Sequence, residues 1–172
     1  MRRIGLLVVV LALVVAGSWW FFAHRAPSHS TESLTVYYTK MDGTSMGSWN
    51  VSMRPQQPGE SSTEHLQNMA LYAAVQSVAG PPGDVEAIRF PPGTHINTVS
   101  VHGSTATVDL SHEVTQQVGG TFGENGEFKG LVYTLTGVPG IDAVQVTVDG
   151  QKLETLPGGH VELDQPLHRS DF

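Results

Sequence analysis

The sequence contains no cysteine among its 172 residues. This absence excludes a disulfide scaffold, a cysteine-ligated zinc or iron–sulfur site, a thiol nucleophile and a lipid-anchored cysteine behind a signal peptide. Basic residues are also few, with nine Lys and Arg against sixteen Asp and Glu. Because nucleic-acid binding relies on Lys and Arg to neutralise phosphates, the acidic balance argues against a nucleic-acid partner.

Charge is missing altogether from residues 4–23, which are mostly apolar. About 20 helical residues at ~1.5 Å each cross the ~30 Å hydrocarbon layer. We therefore predict that residues 1–25 form a cytoplasmic tip and a transmembrane signal anchor. Arg2 and Arg3 would hold the N-terminus in the cytoplasm, and Trp19 and Trp20 suit the opposite interface.

Cleavage of this segment as a signal peptide is the alternative. Val14-Val15-Ala16 offers only a weak cleavage site, since apolar bulk continues beyond it. Under either interpretation the rest of the chain lies outside the cytoplasm. Residues 1–25 hold three basic residues and no acid, so residues 26–172 hold six basic and sixteen acidic residues, a net charge of −10.

The exported part is predicted to be one α+β domain. Residues 26–33 read as a linker, 34–169 as the domain and 170–172 as a tail. Ser61 and Glu64 have the spacing of a capping box that begins a helix, which Gly80 ends. A second helix follows the glycine-rich segment 119–126. Period-two patterns predict strands at 34–38, 49–53, 96–101, 105–110, 144–148, 152–156 and 161–163.

Up to the strand at 152–156 these elements give the order β-β-α-β-β-α-β-β, and 161–163 is a last short strand. We expect a single layered domain in which two helices pack on a mixed sheet, because each apolar helix face must be covered. Asp149-Gly150 is a strong two-residue hairpin signal, and we expect its tip or an edge strand to be exposed.

Candidate chemistry is scarce. Asp109, Ser111 and His112 contain the residue types of a catalytic triad, but along a strand the first two side chains point away from the third, so we reject a triad. The Asn50-Val51-Ser52 glycosylation sequon is a chance-level match. Metal-ligand spacing is absent from the eight histidines: His24, His29, His65, His95, His102, His112, His160 and His168.

The segment Gly119–Gly126 has glycines spaced as in a phosphate-binding loop. It lacks a lysine, and Glu124 and Glu127 would repel an anion. Its carboxylates do not follow the spacing of a calcium loop. A flexible loop that leads into the second helix is the favoured interpretation. We therefore predict no catalytic, cofactor-binding or metal-binding residues and no cofactor.

A family resemblance extends over residues 34–169. The run Phe90-Pro91-Pro92-Gly93-Thr94, followed by Val99–Val101 and Thr105–Ser111, resembles the central signature of the GerMN domain of sporulation and spore-germination proteins. Matching pieces follow in order elsewhere: Ala73–Val75 with Gly80–Pro82, Leu131–Thr136, Val144–Gly150, and Gly158–Leu163 with Pro166 and Arg169. Known relatives often carry two copies and a lipid anchor, whereas this chain has one copy and an apolar N-terminal segment.

The resemblance implies a non-enzymatic, exported module that serves assembly or interaction. We therefore expect a single-pass protein of the cell membrane, anchored through residues 4–23, that binds envelope proteins or itself. The alternative is a sensor domain that recognises cell-wall glycan or a cation. Tyr37, Tyr38 and Trp49 motivate this alternative because aromatic rings stack on sugars, although aromatic residues also favour packed strands.

Overall fold

The computed structural model describes residues 19–20, 31–116, 120–157 and 159–172. The predicted membrane span, residues 4–23, therefore lies outside the described residues except for Trp19 and Trp20, which are helical and exposed. Among the described residues, no helix has the length and apolar character needed to cross a bilayer. The chain divides into two units, Met1–Ser30 and Thr31–Phe172.

The second unit is an α+β domain with five strands and two long helices among its described residues. In chain order they are β1 (Glu32–Thr39), β2 (Met46–Met53), α1 (Ser62–Ala79), β3 (Ile96–His102), β4 (Thr105–Leu110), α2 (Gly120–Leu135) and β5 (Ala143–Val148). Short 3-10 helices occupy His112–Thr115 and Arg169–Asp171. The α+β class and the first seven elements agree with the sequence prediction.

The strands form two sheets. β1 and β2 pair antiparallel in a two-stranded ribbon with eight consecutive residue pairs. β3 pairs antiparallel with β4, which pairs parallel with β5, so the second sheet is mixed. Both helices pack on strands and on each other. The core extends from Leu34 to Phe172, so residues 31–172 contain a complete core of their own.

The prediction of two strands after β5, at 152–156 and 161–163, is wrong. The Asp149-Gly150 turn is present, but Val148 and Gln151 pair as an isolated bridge. A second bridge joins Val144 to Leu167. These two contacts cover the outer edge of β5 at its ends. Residues 152–156 and 161–163 are irregular chain. Their apolar residues remain in the core.

Both predicted helices are present, as α1 and α2. The Ser61–Glu64 capping box forms, and Gly80 caps the end of α1. However, the apolar side chains of Leu71 and Val75 are 42% and 43% exposed. α1 instead buries small side chains such as Ala70, Ala73 and Ala74.

The glycine-rich segment is not a loop where it is described, because α2 begins at Gly120. At Gly126 an added Cβ would lie 2.5 Å from Ile88 Cδ1, so the Ile88 side chain would have to move. At Gly130 an added Cβ would lie 3.3 Å from the backbone oxygen of Tyr37. These glycines let α2 approach β1 closely. Thr39 Oγ1 fixes the contact by donating a 2.9 Å hydrogen bond to the Gly126 carbonyl.

Candidate functional site

The signature residue Asp109 lies on β4 and is 8% exposed. Its Oδ1 accepts 2.7 Å hydrogen bonds from the Thr147 hydroxyl and the Gly150 N–H, and its Oδ2 accepts a 3.0 Å bond from the Asn97 amide. Burial raises the pKa of Asp109, but these hydrogen bonds outweigh it and leave the pKa below its usual range. Asp109 therefore ties the three strands and the Asp149-Gly150 turn together.

Ser111 and His112 have other partners. Ser111 is buried, and its Oγ accepts a 3.1 Å hydrogen bond from the His95 N–H. A hydrogen bond from the Ser111 hydroxyl is the main reason that the pKa of Glu113 is lowered. The His112 ring is exposed and lies 3.6 Å from Asp149 Oδ2. The structure thus does not join Asp109, Ser111 and His112 in a triad.

Glu124 is a fully buried carboxylate on α2. Its oxygens accept hydrogen bonds from the backbone N–H groups of His160, at 2.7 Å, and Val161, at 3.4 Å. An added Cβ at Gly159 would overlap this carboxylate, so the backbone passes directly over it. Glu124 therefore fixes the start of the C-terminal segment 159–172, a role that its placement in a glycine-rich stretch did not indicate.

A groove of about 600 Å³ lies along this C-terminal segment. No lysine or arginine is among the described residues that line it. Its polar wall consists of amide, imidazole and carboxylate groups, and Phe172 and Leu167 supply apolar surface. These polar groups belong to Asn125, His160, Glu162, Gln165, His168 and Asp171.

The histidines are dispersed. His24 and His29 lie outside the described residues, and His95, His102, His112, His160 and His168 are exposed. His65 is buried on α1, where its Nε2 lies 2.8 Å from Glu32 Oε2 and its Nδ1 3.4 Å from Glu60 Oε2. This cluster attaches the start of β1 to α1. Among residues that the structure describes, no group of three His, Asp or Glu is placed to hold a metal ion.

The three aromatic residues considered for stacking on sugars are half-buried and pack on other side chains. The Tyr37 ring contacts Tyr133 edge-on, and the Arg169 guanidinium lies 5.8 Å and 4.9 Å from the centroids of these two rings. Tyr38 packs against Trp49 with centroids 5.9 Å apart. Tyr37, Tyr38 and Trp49 therefore pack against other side chains of the domain.

Among the described residues of the second unit, the exposed large apolar side chains are two pairs and the lone Val85. Met41 and Phe122 are 57% and 52% exposed, and the Phe122 ring lies against Gly43 in the turn that carries Met41. We define Met41 and Phe122 as the turn patch. Lys129 Nζ donates a 3.1 Å hydrogen bond to the Thr44 carbonyl and so fixes α2 to the same turn. The second pair is Leu71 and Val75, one turn apart on α1.

This arrangement of two helices on a ribbon and a mixed sheet is the GerMN type of α+β domain. The profile of the Germane family, described as sporulation and spore germination, matches residues 35–154. The chain belongs to this family. A search among curated proteins finds no match.

Solved structures show the same fold. A protein of Clostridium perfringens described as a lipoprotein candidate is 20% identical, with a TM-score of 0.56 over 82% of this chain and 89% of that one. The first GerMN domain of the Bacillus subtilis sporulation protein GerM is 23% identical, with a TM-score of 0.54 over 82% of this chain and 100% of that domain.

The tandem GerMN domains of the same protein give a TM-score of 0.58 at 23% identity. The match covers 83% of this chain and 48% of the tandem structure. This chain therefore spans about half of the tandem arrangement.

Proposed function

We propose that the protein is a non-enzymatic, membrane-anchored extracytoplasmic module for protein–protein interaction or assembly in the cell envelope, linked to sporulation or spore germination. The turn patch is the observation that carries the interaction role. Methionine and aromatic side chains are enriched in protein interfaces, and two of them exposed where the turn after β1 meets the start of α2 suit a partner surface. Family membership and the description of the Clostridium perfringens relative support the envelope setting.

Photo-crosslinking of the full chain in cells tests the interaction role. A crosslinkable amino acid at Phe122 is expected to give defined adducts with envelope proteins or with a second copy. The matched control is Val85, a lone apolar residue that is 38% exposed. Equal adduct patterns at both positions, or none at Phe122, would contradict the role of the turn patch.

The absence of cysteine permits a clean test of the anchor and its orientation. Ser170→Cys, at an exposed position, is expected to react with a membrane-impermeant thiol reagent in intact cells. A cysteine inserted before Arg2 is expected to react only after lysis. An intact mass of 18.5 kDa in the membrane fraction indicates a retained anchor. A shorter, soluble product would instead show cleavage.

A wall-hydrolysis assay tests the non-enzymatic part of the proposal. We expect no cleavage of purified cell-wall polymer by the full chain. Cleavage of the polymer by the full chain would overturn the non-enzymatic part of the proposal.

Ligand binding is a second candidate function, and the C-terminal groove is the observation that favours it. Amide, carboxylate and imidazole groups beside an aromatic ring can hydrogen-bond and stack on a sugar. Calorimetric titration with soluble wall-glycan fragments is expected to show binding that Asn125→Ala weakens. Asp84→Ala, at an exposed site away from the groove, is the matched control.

A further inference from the structure

Two hydrogen bonds define which backbone groups of the β1–β2 ribbon face outward. The Tyr37 N–H donates to Thr134 Oγ1 at 2.9 Å, and the Thr39 carbonyl accepts a 2.9 Å bond from the Ile88 N–H. Tyr37 and Thr39 therefore turn their backbone groups away from β2. In an antiparallel pair, residues directly opposite each other share this orientation. Their partners Ser48 and Met46 thus turn their N–H and C=O groups away from β1.

The same alternation extends along β2 to Asn50 and Ser52. The Ser52 carbonyl accepts a 3.3 Å hydrogen bond from the Tyr72 hydroxyl, as an outward-facing group can. Within the described ranges, no other hydrogen bond reaches the outward N–H and C=O groups of Met46, Ser48 and Asn50. Both helices pack on β1 rather than on β2. Among the described residues, the outer edge of β2 is therefore open from Met46 to Asn50.

The other outer edges of the two sheets are protected. Ile88 and Thr134 bond to β1 at Thr39 and Tyr37, both helices pack on this strand, and Leu167 and Gln151 cover the ends of β5. β3 carries a bulge next to Asn97, a common means of preventing edge pairing. β2 has an uninterrupted register and contains neither charge nor proline, so it lacks every one of these safeguards.

We propose that the outer edge of β2 pairs antiparallel with β2 of a second copy of this chain. The register that uses all four outward-facing residues places Ser48 opposite Asn50 of the second copy and Met46 opposite Ser52 of the second copy. Trp49 then lies opposite Trp49 of the second copy, on the two-fold axis. Residues of each such pair exchange two backbone hydrogen bonds, and the two ribbons become one four-stranded sheet.

Three observations favour a second copy as the occupant. A two-fold axis makes one strand edge complementary to itself, with no second sequence needed. Residues 26–172 carry a charge of −10, so two copies repel each other at most surfaces, but β2 is uncharged and allows a close approach. A lone two-stranded ribbon is also small, whereas sheets commonly have four to six strands. This surface is separate from the turn patch.

Sedimentation velocity on residues 31–172, which contain the complete core, tests the proposal. We expect a concentration-dependent dimer, with Trp49, the single tryptophan of this fragment, changing its fluorescence on dilution. Ser48→Lys places a charge on the open edge and is expected to weaken dimerisation at least tenfold. Ser33→Lys is the matched control, because Ser33 is exposed on the same ribbon but on β1, the strand against which both helices pack.

Disulfide trapping checks the register. Residues that exchange both hydrogen bonds have Cα atoms about 5.5 Å apart, within the range that a disulfide spans. Ser48→Cys with Asn50→Cys in one chain is expected to give a covalent dimer under mild oxidation. Ser33→Cys with Thr35→Cys, at the same spacing on β1, is expected to stay monomeric.

Three results would overturn the proposal. They are a monomer at concentrations up to about 1 mM, a dimer that Ser48→Lys does not weaken, and equal trapping at both cysteine pairs. The interaction role proposed above has its own readout, since crosslinking at Phe122 does not depend on β2. Adducts at Phe122 with a monomeric fragment would retain that role and reject edge pairing.

Discussion

Asp109 Oδ1 lies 2.7 Å from the backbone nitrogen of Gly150, 41 residues further along the chain, and accepts its hydrogen bond. Asp149 has a φ of 48° and Gly150 a φ of 75°, so both residues of the turn adopt the left-handed conformation. The carboxylate on β4 thus holds the turn that ends β5. The signature aspartate and the Asp-Gly turn, which are separate motifs in the sequence, form one structural unit.

Asp109→Asn is expected to destabilise the domain by about 1–3 kcal/mol. The substituted amide can still accept hydrogen bonds through one oxygen, but its nitrogen faces the Asn97 amide, so two donors oppose each other. Urea denaturation followed by circular dichroism measures the loss. Asp142→Asn, at an exposed position, is expected to change stability by less than about 0.5 kcal/mol. Equal effects of the two substitutions would contradict the structural role of Asp109.

Glu124→Gln is expected to loosen the C-terminal segment. Leaving a buried hydrogen-bond donor without its acceptor costs about 1–3 kcal/mol, and glutamine offers one acceptor and one donor in place of two oxygens. Hydrogen exchange monitored by NMR should show faster exchange of the His160 and Val161 amides. Glu162→Gln, an exposed carboxylate of the same segment, serves as control. Unchanged protection of both amides in Glu124→Gln would show that the carboxylate does not hold this segment.

Local patterns in the sequence predicted the elements that depend on local interactions. The capping box at Ser61 and the glycine at the end of α1 involve only neighbouring residues, and both formed as predicted. Alternation likewise predicted β4 and β5, because their apolar faces are buried in the core. The α+β class followed from these elements.

The sequence could not reveal features that depend on distant contacts. The glycines of α2 look like a loop until β1 and Ile88 are placed beside them. Glu124 appears to be a solvent-exposed acid until the backbone of residues 159–161 crosses over it. The strands predicted after β5 had suitable residues, but two isolated bridges and irregular chain cover that edge instead.

Gly126→Val is expected to push α2 away from Ile88. The new side chain would overlap Ile88, and overpacking of this kind costs about 1–3 kcal/mol. Adding Ile88→Ala should recover part of the loss by creating room, even though that substitution alone removes apolar contacts. Denaturant midpoints of the two single variants and the double variant form a double-mutant cycle. Strict additivity of the two effects would contradict a direct contact between these residues.

Acid is expected to destabilise the domain through carboxylates that hydrogen-bond only in the folded state. Hydrogen bonds from the Ser45 hydroxyl and N–H, followed by that of Thr44, lower the pKa of Asp42 to about 2. The Gln57 N–H is the main cause that lowers the pKa of Glu60 to about 2, together with Asn68 and Arg54. Their ordinary values are 3.8 and 4.5.

The unfolded chain therefore takes up protons first as the pH falls, so stability should be constant near neutral pH and decline between about pH 5 and pH 2. Urea midpoints measured across this range test the direction. Glu60→Gln should flatten the decline and lower stability at neutral pH, because the charged acceptor for Gln57 and Arg54 is gone. Asp84→Asn, at an exposed position, should leave the profile unchanged. A midpoint that rises on acidification from pH 5 to pH 3 would contradict this assignment.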